Sequence, residues 1–297
     1  MIRISLIIPT CNRPRQLASC LSALSASFPA DAETIVVADG ADPELAKWVA
    51  PFLEPMRLTL LQADRRGPSA ARNRGLKAAR GEVVVFTDDD CRPHPGWLSA
   101  LAGGVSLSPP RAVAGITRNG RPENVYADTA ELVLRLLAIH DRAITGRERF
   151  LPSNNIAFPR ETLLELGGFD ERYRTAEDRE ICRRWAAAGF ALGKVPGAIL
   201  EHDQELNLTS FVAKFISYGH GAAQFHGSGA NPSLRESSRF HFRLPVLLIP
   251  ELRSRGLARS CGILALLALW ETANLLGYIG EQLRPRGTSM PTRPQGG

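Results

Sequence analysis

The chain has 297 residues, 44% hydrophobic and 22% charged, which suffices for one large α/β domain with an appendage or for two small domains. Lys plus Arg exceed Asp plus Glu by 36 to 30, a net +6, and only Lys47, Lys77, Lys194 and Lys214 are lysines, so the positive charge is nearly all arginine and suits phosphate groups or anionic headgroups. No basic run alternates with aromatics, which argues against nucleic acid as a partner. The five scattered cysteines argue against a disulfide framework, and the short apolar N-terminus argues against an export signal.

In chain order, the apolar run at residues 4–8 reads as a strand ended by Pro9, Thr10, Cys11, Asn12, Arg13 and Pro14. A helix follows through Leu17, Leu21 and Leu24. A second strand, Thr34 to Ala38, ends in Asp39-Gly40-Ala41-Asp42-Pro43 and feeds a helix with Leu45, Trp48 and Val49. A third, Leu58 to Leu61, leads through Arg65-Arg66-Gly67-Pro68 to a helix from Ser69 to Ala79 that carries Arg72. The fourth, Val83 to Phe86, has the β-branched and aromatic make-up of a strand buried on both faces. Alternating strands and helices of this length predict right-handed crossovers and a mostly parallel sheet.

Three carboxylates, Asp88, Asp89 and Asp90, follow the fourth strand at once. In extended chain Asp88 and Asp90 project to one side and Asp89 to the other. Adjacent carboxylates at a strand's carboxyl end call for a cation, so a divalent metal carrying a chelated phosphate is one reading. A solvated acidic turn capping the helix near Pro95 is the other. No G-x-G-x-x-G follows the first strand and no G-x-x-x-x-G-K-[ST] occurs, so dinucleotide and P-loop sites lose support.

Downstream, Leu132, Leu136 and Ile139 have the spacing of a packed helix that could also border an acceptor pocket. Glu177 and Asp178 open an amphipathic segment whose apolar positions Ile181, Trp185 and Ala188 would face the core. The pair reads either as first-turn carboxylates or as an acid–base site. A strand then ends at His202. Asn154 and Asn155 either face an acceptor or close a turn. Beyond residue 204 the character changes. An amphipathic helix covers 209–225 and a polar, arginine-bearing segment runs to Arg243. Two apolar stretches follow, the second at 261–280, close to the ~20 residues that span a bilayer. With Arg253, Arg255 and Arg259 before it and Arg284 and Arg286 after it, interfacial seating on anionic headgroups fits better than a span, and a buried soluble helix is the third option. A flexible tail is expected from about 284.

The stretches SLIIPTCNRP, VVADGADP, RRGPSAARNRGL and VVVFTDDDCRPHPGWL, followed by SNNIAFPRE, GGFDERY and AEDREICRRWAAAG, resemble the family 2 glycosyltransferases of the GT-A fold. The likeness runs over roughly residues 3–203. It implies a GT-A, Rossmann-like α/β domain at 1–204, with a nucleotide-binding half at 1–92, an acceptor half at 93–204, and a C-terminal helical, partly apolar appendage at 205–297. The implied activity is inverting transfer of a sugar from a UDP-, GDP- or dTDP-linked donor to a saccharide or lipid-linked hydroxyl acceptor with Mn²⁺ or Mg²⁺. Its setting would be bacterial envelope polysaccharide or glycolipid assembly on the cytoplasmic face of the cell membrane.

By the same resemblance Pro9, Thr10, Asn12 and Arg13 would shape the nucleoside loop and Asp39 would bond the base. Arg72 would lie near the diphosphate, and Asp88 and Asp89 would sit on the donor side. Asp90, with Asp88 and His202, would hold the metal, Asp178 would be the catalytic base with Glu177 as its alternative, and Asn154 and Asn155 would face the acceptor. Ala38 and Ala41 depart from the family's acidic and serine positions around Asp39, so either Asp39 has shifted register to serve the base or that contact is missing. A nucleotidyltransferase would need a glycine-rich first loop. A dehalogenase-type phosphatase would not place Cys91-Arg92 after its D-x-D. The non-enzyme rival is a sugar-nucleotide-binding scaffold.

Overall fold

The computed structural model describes residues 1–227, 234–253 and 255–284. The tail expected beyond 284, Arg286 in it, and part of the polar segment before Arg243 lie outside the described residues.

The first half builds as its periodicity predicts: β1 (Ile4–Thr10), α1 (Pro14–Ser25), β2 (Ala32–Asp39), α2 (Leu45–Val49), β3 (Leu58–Ala63), α3 (Pro68–Ala78) and β4 (Val83–Thr87). These four strands are parallel and ordered β3-β2-β1-β4, with Ile7 opposite both Ile35 and Phe86. Alternation splits each strand between two cores. Ile4, Leu6 and Ile8 join Val83 and Val85 under α1, while Ile7 joins Val84 and Phe86 under α3. Each such side chain contributes about 1.5–3 kcal/mol when fully buried. Close approach of α3 to β1 requires Gly75, where an added Cβ would stand 2.5 Å from Ile7.

The second half is mixed. After β5 (Cys91–Pro93), α4 (Trp97–Gly103) and β6 (Ser106–Leu107) come β7 (Pro110–Asn119), α5 (Val125–Thr145), β8 (Asn155–Pro159), α6 (Arg160–Glu165), α7 (Glu177–Ala187) and β9 (Ala191–His202). β8 enters antiparallel to β4 and β7 antiparallel to β8, whereas β9 runs parallel to β7. The predicted parallel order thus holds on the β1–β4 side and gives way to mixed pairing beyond β4. β5 consists of the three residues just after the aspartates and pairs with the end of β9, register Cys91 to His202. That pairing carries His202 to the aspartates.

The last elements, α8 (Leu208–Gly227), α9 (Leu234–Arg253) and α10 (Leu257–Gln282), share a third core with α5: Leu132 and Leu136 meet Phe211, Phe215, Ile263 and Trp270. α8 and α10 touch backbone to backbone. A Cβ on Gly219 would stand 2.0 Å from the Asn274 carbonyl oxygen, and one on Gly277 would stand 2.0 Å from that of Ile216. Among the described residues α10 alone is long and apolar enough to cross a membrane, with mean hydropathy 1.5 and a third of the window buried. Its outer stripe, including Leu257, Leu264, Leu275, Ile279 and Leu283, is exposed.

Around α10, Arg255 and Arg259 hold Asp128 at 3.2 and 2.8 Å, and Arg284 pairs with Glu281 at 3.3 Å. Two expectations are corrected here. Ile139 is 44% exposed and lines the cleft described below, while Leu132 and Leu136 are the buried positions. Ala188 caps the end of α7 in solvent, because the helix stops at Ala187.

Candidate active site

The parallel register sets the loops after β1, β2 and β4 on one edge, as expected for an α/β sheet. The aspartates divide as alternation predicts. Asp88 and Asp90 keep 26% and 14% of their side-chain surface, and Asp89 keeps none. Asp89 accepts from Thr10 Oγ1 at 2.7 Å and meets Arg13 at 2.6 Å, and Arg13 also donates to Asp90 at 2.9 Å. Burial pushes the Asp89 carboxyl up to about 7 against the pull of Arg13. Asp89 therefore lies beneath the cleft floor, seating Thr10 and Arg13.

Arg72, 3% exposed on α3, donates Nη2 to Asp88 Oδ1 at 2.7 Å and Nη1 to Glu177 Oε1 at 2.9 Å, with its guanidinium over the Phe169 ring. Glu177 also accepts from Ser153 Oγ at 3.2 Å, so its carboxylate is committed. The chain enters α7 through Ala176 at φ +67, a left-handed conformation that costs a non-glycine residue about 1–2 kcal/mol. That strained entry is where the carboxylate pair sits. Asp178 accepts only backbone bonds, from Arg179 N at 2.8 Å and, at the edge of hydrogen-bond range, Ser153 N at 3.5 Å. Burial, together with the neighbouring charge of Glu177, pushes its carboxyl up to about 7. A carboxylate poised there is suited to accept a proton near neutral pH.

At the far side His202 Nε2 lies 3.2 Å from Asp90 Oδ1. Burial works against the Asp90 charge, but the bond and charge of His202 and the guanidinium of Arg13 hold its carboxyl well below the usual range. Lys214 on α8 donates to Gln204 Oε1, which turns the Gln204 amide nitrogen toward His202 Nδ1 at 2.7 Å. Nδ1 therefore accepts, and in a neutral ring the proton resides on Nε2, facing Asp90. Oδ1 of Asp90 is buried and makes no well-aligned hydrogen bond, an arrangement that fits a cation ligand. Asp90, Cys91 and His202 present ligand atoms within 4.8 Å of one another. Burial holds the Cys91 thiol far up its range, so it stays protonated and binds metal weakly. Asp90 is the hard oxygen donor of this group, while Asp88, outside it, has Oδ1 bonded to Arg72; His202 can ligate through Nε2 only as its other tautomer, with the proton on Nδ1.

The remaining predicted residues separate. Pro9 and Thr10 line the cleft from the end of β1. Asp39 also lines it, but its carboxylate accepts from Arg66 N and Gly67 N, both at 2.9 Å, which pins the loop before α3. Asn12, at φ +53, faces a neighbouring shallow pocket with Gly40 and Asp64 rather than the main cleft. Asn154 lines the cleft with Nδ2 3.3 Å from His202 Nδ1. Asn155 is corrected: it is fully buried, its Oδ1 accepting from Trp97 Nε1 at 2.9 Å and its Nδ2 donating to Thr117, because successive side chains of β8 point to opposite faces.

Sequence reasoning missed the wall supplied by α8. Lys214 and Tyr218, one turn apart, face the same site. The ammonium sits 5.4 Å from the Tyr218 ring centre and is held low by burial against the pull of Asp90 and Glu131, and burial beside Asp178 raises the Tyr218 hydroxyl. The available signal was a lysine inside the apolar stripe Phe211, Phe215, Tyr218. Together these walls enclose a cleft of about 2660 Å³.

Residues 5–166 match the family described as Glycosyl transferase family 2. Over 173 residues the chain is 32% identical to the pre-mycofactocin glycosyltransferase of Mycobacterium tuberculosis, covering 53% of this chain and 34% of that one. The chain spans about a third of the length of these first curated relatives. Among solved structures it is similar to the mannosyltransferase PcManGT of Pyrobaculum calidifontis in complex with GDP-Man and Mn²⁺, with TM-score 0.66, 20% identity, and 95% and 87% of the two chains covered. It is also similar to GalNAc-T7 with UDP, GalNAc and Mn²⁺, with TM-score 0.56, 16% identity, and 81% and 54% covered. The architecture expected from the sequence, GT-A with a C-terminal apolar helix, is the one the chain adopts.

Proposed function

Because the chain belongs to glycosyl transferase family 2, matched over residues 5–166, we propose that it is an inverting, metal-dependent glycosyltransferase moving a sugar from a nucleotide-sugar donor to a hydroxyl acceptor. One observation carries the reading. Arg72 ties Asp88 on the donor side to Glu177, which leaves Asp178 as the carboxylate of the pair with no side-chain hydrogen bond, facing the same cleft as Asp90.

In this reading Asp178 takes the proton of the acceptor hydroxyl as its oxygen bonds to the anomeric carbon. The bond from that carbon to the diphosphate oxygen breaks on the opposite face, and configuration inverts. General-base assistance of this kind contributes about 10²–10⁴-fold. Arg72 and Lys214 bring positive charge to the developing diphosphate. A divalent cation, Mn²⁺ or Mg²⁺, held by Asp90 with Asp88 and His202, would neutralise the leaving diphosphate. The GDP-Man, UDP and Mn²⁺ of the similar structures support the donor and metal class. Residues 1–204 would form the catalytic domain and the C-terminal helices its lid and its seat. The exposed stripe of α10 supports placement on the cytoplasmic membrane surface, in envelope polysaccharide or glycolipid assembly.

The test is donor binding and hydrolysis across UDP-, GDP- and dTDP-sugars with Mn²⁺, Mg²⁺ or EDTA. One donor should bind only with metal. Asp90→Ala should abolish that binding, while Asp178→Asn should bind and not turn over. If no nucleotide sugar binds under any metal condition, the reading fails.

A further inference from the structure

The cleft is larger than the roughly 300–1,000 Å³ pocket that takes one small ligand, so it has room for more than the donor. Several cleft arginines are bonded to acids: Arg13 to Asp89 and Asp90, Arg72 to Asp88 and Glu177, Arg121 to Glu205, Arg142 to Glu148. The start of α7 differs in placing arginines beside the candidate base. Arg179 and Arg183 lie one turn apart, on the side of Asp178 away from the Arg72–Glu177 bond. Arg179 stacks over Phe150 with its guanidinium 5.6 Å from the ring centre, and Arg183 over Phe225 at 5.7 Å.

Stacking fixes the guanidinium plane while leaving its edge N–H groups to donate, which is the geometry that takes a planar carboxylate or a phosphate in two bonds. No acid pairs with Arg179, or with the neighbouring cleft residue Arg174, among the described residues. Arg183 reaches Glu180 at only 3.4 Å, and its Nε is buried without an acceptor. Arg179 feels the charge of Asp178 and Arg183 that of Glu180, but the N–H groups of the two stacked guanidiniums are not all used, which leaves donors for an anion beside the base.

We propose that Arg174, Arg179 and Arg183 form a subsite for a negatively charged group of the acceptor, a phosphate or carboxylate carried near the hydroxyl that receives the sugar. The assignment of this anion to the acceptor rests on the transferase reading above. The donor anion occupies the opposite side of Asp178, by Arg72 and Asp90, so the two charges flank the reacting hydroxyl.

Isothermal titration of the full chain tests it, with and without saturating nucleotide and Mn²⁺. The probes are glycerol 1-phosphate, glucuronate, and vesicles of phosphatidylglycerol in phosphatidylcholine, with glycerol and glucose as neutral controls. An anionic probe should bind the wild type and weaken at least tenfold in Arg179→Gln/Arg183→Gln, but not in Arg253→Gln on exposed α9. Neutral probes should not bind. Preference for glycerol phosphate, glucuronate or vesicles then identifies the source of the anion. If the double glutamine variant does not melt cooperatively, Arg179→Lys/Arg183→Lys is read by the same criterion, since lysine keeps charge but loses the stacked fork. No anion binding to the wild type, or unchanged binding in the variants, overturns the proposal. Failure of nucleotide to bind the same samples would count against the transferase reading alone.

Discussion

Nη1 of Arg72 donates to Oε1 of Glu177 at 2.9 Å, and this bond joins α3, on the parallel half of the sheet, to the helix that carries the candidate base. The guanidinium is buried and bonded at its other nitrogen to Asp88. Breaking a buried pair from one side leaves an uncompensated charge, at about 3–5 kcal/mol. Arg72→Met should therefore lose stability on that order in urea unfolding. Arg72→Met with Glu177→Met should recover part of the loss. An additive double variant would mean the two groups are not coupled.

With Asp178 as the proposed base, its carboxyl sets the expected pH dependence. With its carboxyl pushed up to about 7, the base is protonated below that pH, so turnover should fall as pH drops through 7 and level off above it. Asp178→Asn should lower turnover about 10²–10⁴-fold with donor affinity kept. The stability sign runs the other way. A carboxyl raised above its unfolded value makes the folded state bind the extra proton, so its contribution is present at low pH and lost as pH rises through 7. Asp178→Asn should thus melt higher than wild type at pH 8, and the gap should close toward pH 4. A gap that widens on acidification would contradict this assignment.

Lys214 is held low by burial and kept in place by Gln204 and the Tyr218 ring. If its charge meets the leaving diphosphate, Lys214→Met should reduce turnover about 10²-fold, the scale of one lost electrostatic donor. The melting temperature should hold or rise, since a desolvated ammonium is removed. Steady-state kinetics with a melt on the same sample separates the cases. A large loss of stability with unchanged turnover would make the residue structural.

The backbone contact of α8 with α10 leaves no room for a side chain at Gly277, where a Cβ would stand 2.0 Å from the Ile216 carbonyl oxygen. Gly277→Val must push the helices apart, at about 1–3 kcal/mol for overpacking. Hydrogen exchange should quicken in α10 and along α8 while β1 to β4 stay protected. Because Lys214 and Tyr218 ride on α8, turnover should drop with it.

The sequence by itself determined the strands from Ile4 to Thr87, the loops at their carboxyl ends, and the split of Asp88 and Asp90 from Asp89, because burial on both faces and strict alternation are local properties of the chain. Local order also marked the start of α7 with its acidic pair, and the apolar stretch at 261–280 that lies within α10. Only the tertiary structure decided which carboxylate of the pair lacks a side-chain partner, since that turns on Arg72, which is distant in sequence and bonds Glu177 but not Asp178. It decided that Asn155 serves Trp97 while Asn154 meets His202, a matter of which face of β8 is occupied. It paired Arg255 and Arg259 with Asp128, which α5 places against them. It also brought Lys214 into the cleft, since the packing of α8 against α10 and α5 depends on a core shared with α9 that no single segment encodes.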